Sequence, residues 1–162
     1  VVGVHWGVEN SHAIADPQRT LAQNLADWGA DLIIGTHPHV LQNAQWLTAA
    51  DGRQVFTAYS LGNFISTQEK PDQLVGAILS VQLEKTTELD GTVRCSVLSP
   101  RLLPTVTHYD AGKSNVRTYL FRDYTEALTK AHGVRQAYPD FSLEMIQSIA
   151  RENIDPEFLQ LT

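Results

Sequence analysis

The first 35 residues constrain the fold more tightly than any other stretch of the chain. An apolar run at residues 1–5 is followed by a helical stretch at 17–28 and a second apolar run at 31–35. The two apolar runs are short and rich in Val and Ile, the pattern of buried strands. Between them, Asp16 suits the N-cap, Pro17 the first helical turn and Gly29 the C-terminal stop. Leu21, Leu25 and Trp28 recur at helical spacing and predict one apolar face. A strand, a helix and a strand this close together make a βαβ unit. Such a unit demands parallel pairing and a right-handed crossover.

The middle of the chain predicts antiparallel sheet. Ala44–Leu47 and Val55–Leu61 flank Asp51-Gly52, a hairpin turn pair. Leu74–Lys85 alternates apolar and polar residues, and Asp90-Gly91 turns it into a second alternating stretch, Thr92–Leu98. Residues 101–108 predict a further strand, placed at an edge or bulged by Pro104. Tyr119–His132 and Ser142–Asn153 predict helices, the second with Leu143, Ile146 and Ile149 on one face. The fold class is α/β, with a mainly antiparallel β middle and C-terminal helices.

Both apolar runs of the βαβ unit end in histidine beside glycine: Val4-His5-Trp6-Gly7-Val8-Glu9 and Gly35-Thr36-His37-Pro38-His39. Ligands bind open α/β sheets at the carboxyl ends of their strands, and imidazole is the commonest metal ligand among side chains. Pro38 keeps His37 out of the helical region, which predicts an extended His37 with His39 on the same side. Two imidazoles so placed can share one metal ion or bind two neighbouring ones. Glu9 can serve as a ligand, as a partner orienting an imidazole, or as a general base. The plain alternative is a set of strand-end histidines hydrogen-bonded to backbone carbonyls. His12, His108 and His132 have no partner in sequence that suggests chemistry, and His132 falls in a last helical turn, where positive charge complements the dipole. A third strand end, Tyr59-Ser60-Leu61-Gly62-Asn63-Phe64, can bring Asn63 or Ser60 to the same edge to contact substrate. Asn63 can equally cap its own backbone in a turn. Trp6, Trp28 and Trp46 fit either core or pocket wall.

Composition narrows the function. With 162 residues and 43% hydrophobic content, the chain supports one domain with a real core. A net charge of −6 argues against a nucleic-acid-binding face, and the single cysteine, Cys95, excludes an internal disulfide framework. The chain starts at Val1, inside a strand pattern, with no signal peptide and no membrane-length apolar stretch. It therefore reads as a piece of a longer protein.

Taken together, the segments at His5–Glu9, Gly35–His39 and Tyr59–Phe64 resemble the CapA family, in order and spacing, across residues 1–68. These are capsule-synthesis proteins associated with poly-γ-glutamate. The family in turn resembles the calcineurin-like metallophosphoesterases, which implies part of a four-layered α/β/β/α sandwich. On that resemblance residues 1–110 are the C-terminal half of the sandwich and 111–162 a helical extension, within one partial domain. His5 and His37 would hold one divalent ion and His39 another, with Mn, Fe or Zn as candidates. In the metallophosphoesterases the N-terminal half adds an Asp-containing first motif, a bridging aspartate and an asparagine–histidine motif; this sequence has no Asp-x-His and no Gly-Asn-His, and Gly62-Asn63 is followed by Phe64. The resemblance thus implies half of a dinuclear site, weak metal binding and no phosphoesterase activity in the chain by itself. For the whole protein it implies either a metal-dependent phosphoesterase-like hydrolase or a non-catalytic binding or export factor for an anionic capsule polymer. The implied partners are that polymer or a phosphoester, and other capsule-synthesis proteins. The implied location is the bacterial cell surface, with membrane attachment only through a segment outside this sequence.

Overall fold

The computed structural model spans residues 1–162 and holds two sheets. The first is four-stranded, in the order β1-β2-β4-β3, with β1 at Val2–His5, β2 at Leu32–Thr36, β3 at Leu41–Thr48 and β4 at Gln54–Leu61. β1 pairs parallel with β2 and β2 parallel with β4, as the βαβ unit requires. β3 and β4 form the antiparallel hairpin over Asp51-Gly52. β1 is an edge strand whose residues are half-covered or exposed, unlike the buried strand its composition predicts.

Helix α1, Asp16–Asp27, crosses between β1 and β2. Its buried positions are Gln18, Ala22 and Ala26, one register away from the predicted Leu21–Leu25–Trp28 face. Small residues let the helix approach the sheet closely; Leu21 and Leu25 flank the contact, and Trp28 is left 73% exposed. The N-cap is Ala15 rather than Asp16, and the Ala15 amide donates instead to the buried Gln18 Oε1 at 3.0 Å. The Gln18 amide also donates to Gln42 Oε1 on β3 at 2.8 Å, so the polar group in this contact is satisfied.

The second sheet has the order β5-β6-β7, all antiparallel, with β5 at Val75–Thr87, β6 at Val93–Asp110 and β7 at Ser114–Leu120. A single turn of helix, α2 at Pro71–Leu74, leads into β5. The two strands predicted at 92–98 and 101–108 are one continuous strand with an irregularity opposite Val81, where Ser99 takes φ 48°. β6 is the central strand, so Pro104 is not on an edge strand. Its missing N–H falls in a gap: Leu102 bonds the C-terminal segment at Phe158 and Gln160, and pairing with β7 begins at Thr105. Residues 119–125, predicted as helix, belong to β7 and a short turn. Helix α3 is confined to Glu126–Ala131. Helix α4, Leu143–Asn153, starts as predicted at Ser142, whose hydroxyl accepts from the Met145 amide.

A small core of Trp6, Ala22, Ala26, Ile33, Val55 and Tyr59 joins α1 to one face of the first sheet. A larger core joins the opposite face, through Leu32, Leu41, Phe56 and Ala58, to Leu74, Val75, Leu102 and Val106 of the second sheet region and to Ile146 and Ile149 of α4. The order helix, sheet, sheet, with α4 closing the larger core, is compatible with the α/β sandwich expected from the sequence.

Candidate metal centre

The carboxyl ends of β1, β2 and β4 lie side by side, and they carry the three motifs. Trp6 explains part of that alignment. Its indole crosses above β2 and donates to the Tyr59 carbonyl on β4 at 2.8 Å, with the two rings stacked 5.5 Å apart. The crossing is possible because residue 35 is glycine: a Cβ there would sit 2.0 Å from the Tyr59 carbonyl oxygen and 2.3 Å from the indole nitrogen. Trp6 is therefore core, whereas Trp46 is half-buried against Phe56.

Beyond β2 the chain does not stay extended. His37 has φ 103° and His39 φ 63°, so both histidines flanking Pro38 occupy the left-handed side of backbone space. The proline excludes the α region for His37, as predicted, but the residue is not extended. Tertiary contacts override the local preference: the Pro38 carbonyl accepts from the Asn10 amide at 2.7 Å and pins the loop against the β1 turn. Backbone strain of this kind costs about 1–3 kcal/mol per residue and persists only where the surroundings enforce it.

The turn brings Glu9, His37 and His39 together. One ligand atom from each lies within 4.8 Å of the others. Donors around a zinc-sized ion sit roughly 3–3.5 Å apart, so small side-chain rotations bring all three onto one ion. Two imidazoles and a carboxylate suit Zn, Mn or Fe. His5 lies outside this trio, and its ring touches that of His37, with centroids 4.4 Å apart. The trio could offer three donor atoms to one ion. The grouping differs from the division expected by resemblance, with His5 and His37 on one ion and His39 on another. Four candidate groups are thus contiguous, and Glu9 enters as a potential ligand.

Asn63 adjoins the cluster through a hydrogen bond between His39 Nδ1 and its Oδ1 at 2.9 Å. Ser60 does not. It is 2% exposed, and its hydroxyl donates to the Val40 carbonyl and accepts from the Gly62 amide, which commits it to the β4 turn. Two residues escaped the sequence reading. Gln73 at the end of α2 donates to Asn10 Oδ1 and, through its carbonyl, accepts from Asn63 Nδ2 at 3.0 Å. Nothing in the local pattern marks a glutamine 63 positions from its asparagine partner.

The other histidines differ. His12 donates from Nδ1 to the Leu41 carbonyl and stands 3.8 Å from Asp72. His108 and His132 form a buried pair with ring centroids 4.7 Å apart. His132 accepts the Val134 amide at Nδ1, so its proton sits on Nε2 and is donated to the Thr107 carbonyl. Burial lowers its pKa from 6.5 to about 4, so the ring is neutral and does not supply the positive charge predicted from its helix-end position. His108 lies between the Tyr124 hydroxyl at 2.7 Å and Asp110 at 3.3 Å. Burial lowers its pKa too, against the opposing pull of Asp110, and burial raises that of the Tyr124 phenol.

Residues 1–68 match the family described as "Bacterial capsule synthesis protein PGA_cap". Over 97 residues the chain is 39% identical to the "PGA biosynthesis protein CapA" of Bacillus subtilis (strain 168), an alignment covering 60% of this chain and 23% of that protein. Over 68 residues it is 43% identical to the "Capsule biosynthesis protein CapA" of Bacillus anthracis, covering 42% of this chain and 15% of that protein. The chain thus matches less than a quarter of the length of either relative. The matched region contains β1 to β4 and every residue of the histidine cluster.

Proposed function

From the match of residues 1–68 to the bacterial capsule-synthesis family and to CapA proteins of two Bacillus species, we propose that Glu9, His37 and His39 hold a divalent cation that engages an anionic substrate of capsule assembly. The observation that carries this is the convergence of the three donor atoms within 4.8 Å at the ends of adjacent strands. A bound cation supplies Lewis acidity and charge neutralisation at a phosphate or carboxylate. The side chains themselves bind and orient: the two imidazoles supply neutral nitrogen donors, and Glu9 supplies the negative charge that favours a dication over water. His5, in ring contact with His37, restricts how that imidazole can turn.

In the whole protein this centre supports a metal-dependent, phosphoesterase-like hydrolysis. A second ion would need carboxylate donors beyond those grouped here, so the chain by itself binds one ion weakly and turns over no phosphoester. The donor set also favours a second reading. One ion held by three ligands has positions left for the carboxylates of a polyanion such as poly-γ-glutamate, which would make the centre a binding site without hydrolysis. It would also offset the chain's net charge of −6. No helix of the chain is long and apolar enough to cross a membrane; action at the cell surface is part of the proposal.

Calorimetric titration of the metal-free chain with Zn²⁺ and Mn²⁺ tests the centre. One-site binding that weakens in Glu9→Gln and weakens further in His39→Ala supports it, and cation uptake unchanged by either substitution refutes it. In the full-length protein, phosphoester turnover that requires His39 favours the hydrolase. Cation-dependent polyglutamate binding without turnover favours the binding role.

A further inference from the structure

Asn63 touches His39 twice. Its Oδ1 faces His39 Nδ1 at 2.9 Å, and its Nδ2 faces the His39 main-chain carbonyl at 3.2 Å. The same Nδ2 faces the Gln73 carbonyl at 3.0 Å and Gln68 Oε1 at 2.6 Å. Two of these three acceptors are backbone carbonyls, which cannot flip. The Asn63 amide is therefore oriented with its NH₂ toward them, because the reverse orientation would set oxygen against oxygen. That leaves Oδ1, an acceptor only, against the ring. The facing ring nitrogen must then be the donor, so His39 carries its proton on Nδ1.

We propose that Asn63 is the positioning residue of His39: its side chain clamps ring and main chain together and fixes the Nδ1–H tautomer, leaving Nε2 with the lone pair that binds a cation. The tautomer assignment stands on the hydrogen bonds alone, and its purpose rests on the metal reading proposed above. Free imidazole side chains favour the opposite tautomer, with the proton on Nε2, so an unclamped His39 would present its lone pair from the other side of the ring. The clamp is itself anchored. Pro38 O accepts from the Asn10 amide, Asn10 Oδ1 from Gln73 Nε2, Gln73 O from Asn63 Nδ2, and Asn63 returns to His39. This ring of contacts joins the loops after β1, β2 and β4 and holds His39 at φ 63°. Glycines make room for it: a Cβ at residue 76 would lie 2.3 Å from the Asn63 carbonyl oxygen, and Gly62 takes φ +66° just before Asn63.

Long-range ¹H–¹⁵N correlation spectra of the metal-free 162-residue chain at neutral pH read the tautomer of each histidine directly. The expected result is His39 protonated at Nδ1 alone, changing to predominantly Nε2–H in Asn63→Ala. A wild-type His39 protonated at Nε2 overturns the proposal without any substitution, as does a tautomer that Asn63→Ala leaves unchanged. Should Asn63→Ala fold poorly, the wild-type spectrum decides alone. Zn²⁺ titration separates the two readings. A drop in affinity of about 10- to 100-fold in Asn63→Ala supports the positioning role, and equal affinity in a folded Asn63→Ala overturns it. A wild-type chain with the Nδ1–H tautomer that takes up no cation refutes the metal centre while upholding the clamp.

Discussion

The chain holds two groups of histidines that invite comparison. His5, His37 and His39 cluster at strand ends, half-exposed or exposed, on backbone forced to positive φ at two of the three positions. His108 and His132 are almost fully buried, on ordinary backbone, and each of their ring nitrogens has a partner. The second pair has its hydrogen-bonding capacity used up inside the protein. The first has donors facing one another with only Asn63 engaging a ring. The difference teaches that proximity of histidines says little until their nitrogens are accounted for. Fully partnered imidazoles are structural, and converging unpartnered ones are candidates for a ligand.

The strongest way to break the exposed cluster is to remove what aligns its strands. Gly35→Ala places a methyl group 2.0 Å from the Tyr59 carbonyl oxygen and against the Trp6 indole. We expect a loss of about 4 kcal/mol or more, read as failure to fold or a collapsed urea midpoint. The buried pair should give the next largest effect. His132→Ala opens a cavity and strips partners from the Val134 amide and the Thr107 carbonyl. The expected cost is about 3 kcal/mol in chemical denaturation, with cation binding intact. His39→Ala should do the reverse, weakening Zn²⁺ binding by about a hundredfold or more while changing stability far less.

Acidity separates the clusters further. The His132 pKa falls from 6.5 in the unfolded chain to about 4 in the fold, so below 6.5 the unfolded state binds the extra proton. The stability His132 contributes is therefore present above about 6.5 and is lost as pH falls toward about 4. Between pH 7 and pH 5 that amounts to about 2 kcal/mol, and His108 acts in the same direction. Urea midpoints that stay flat across this range would refute the assignment of both rings as buried neutral groups. The smallest effect on folding should come from Glu9→Gln: the residue is exposed, so stability should change by less than about 0.5 kcal/mol, while cation affinity falls about tenfold. A stability change larger than the affinity change would make Glu9 a structural residue.

Local pattern carried the βαβ unit, the Asp51-Gly52 hairpin, the long β5 and the Ser142 start of α4, because strand, turn and cap preferences act over a few residues. It failed where neighbours distant in sequence decide. Whether Trp28 or Ala26 faces the sheet depends on how closely α1 can approach it, and Ala residues allow the closer packing. Pro104 sits in a central strand because two different segments happen to leave a gap there. Residues 119–120 extend β7 because β6 offers them a partner.

The candidate site divides along the same line. The sequence by itself determined which residues reach the strand ends, because a parallel βαβ unit delivers His5, His37 and His39 to one sheet edge wherever the rest of the chain goes. It also determined that the fold would be α/β and the chain capsule-synthesis-like over residues 1–68. Only the tertiary structure decided how those residues meet. It turned His37 away from extended backbone, grouped Glu9 rather than His5 with the histidine pair, committed Ser60 to its own turn, and set Asn63 against His39. These outcomes depend on hydrogen bonds between loops far apart in sequence, such as Asn10 to Gln73, and a single acceptor placed by a distant strand can outweigh every local preference of an imidazole.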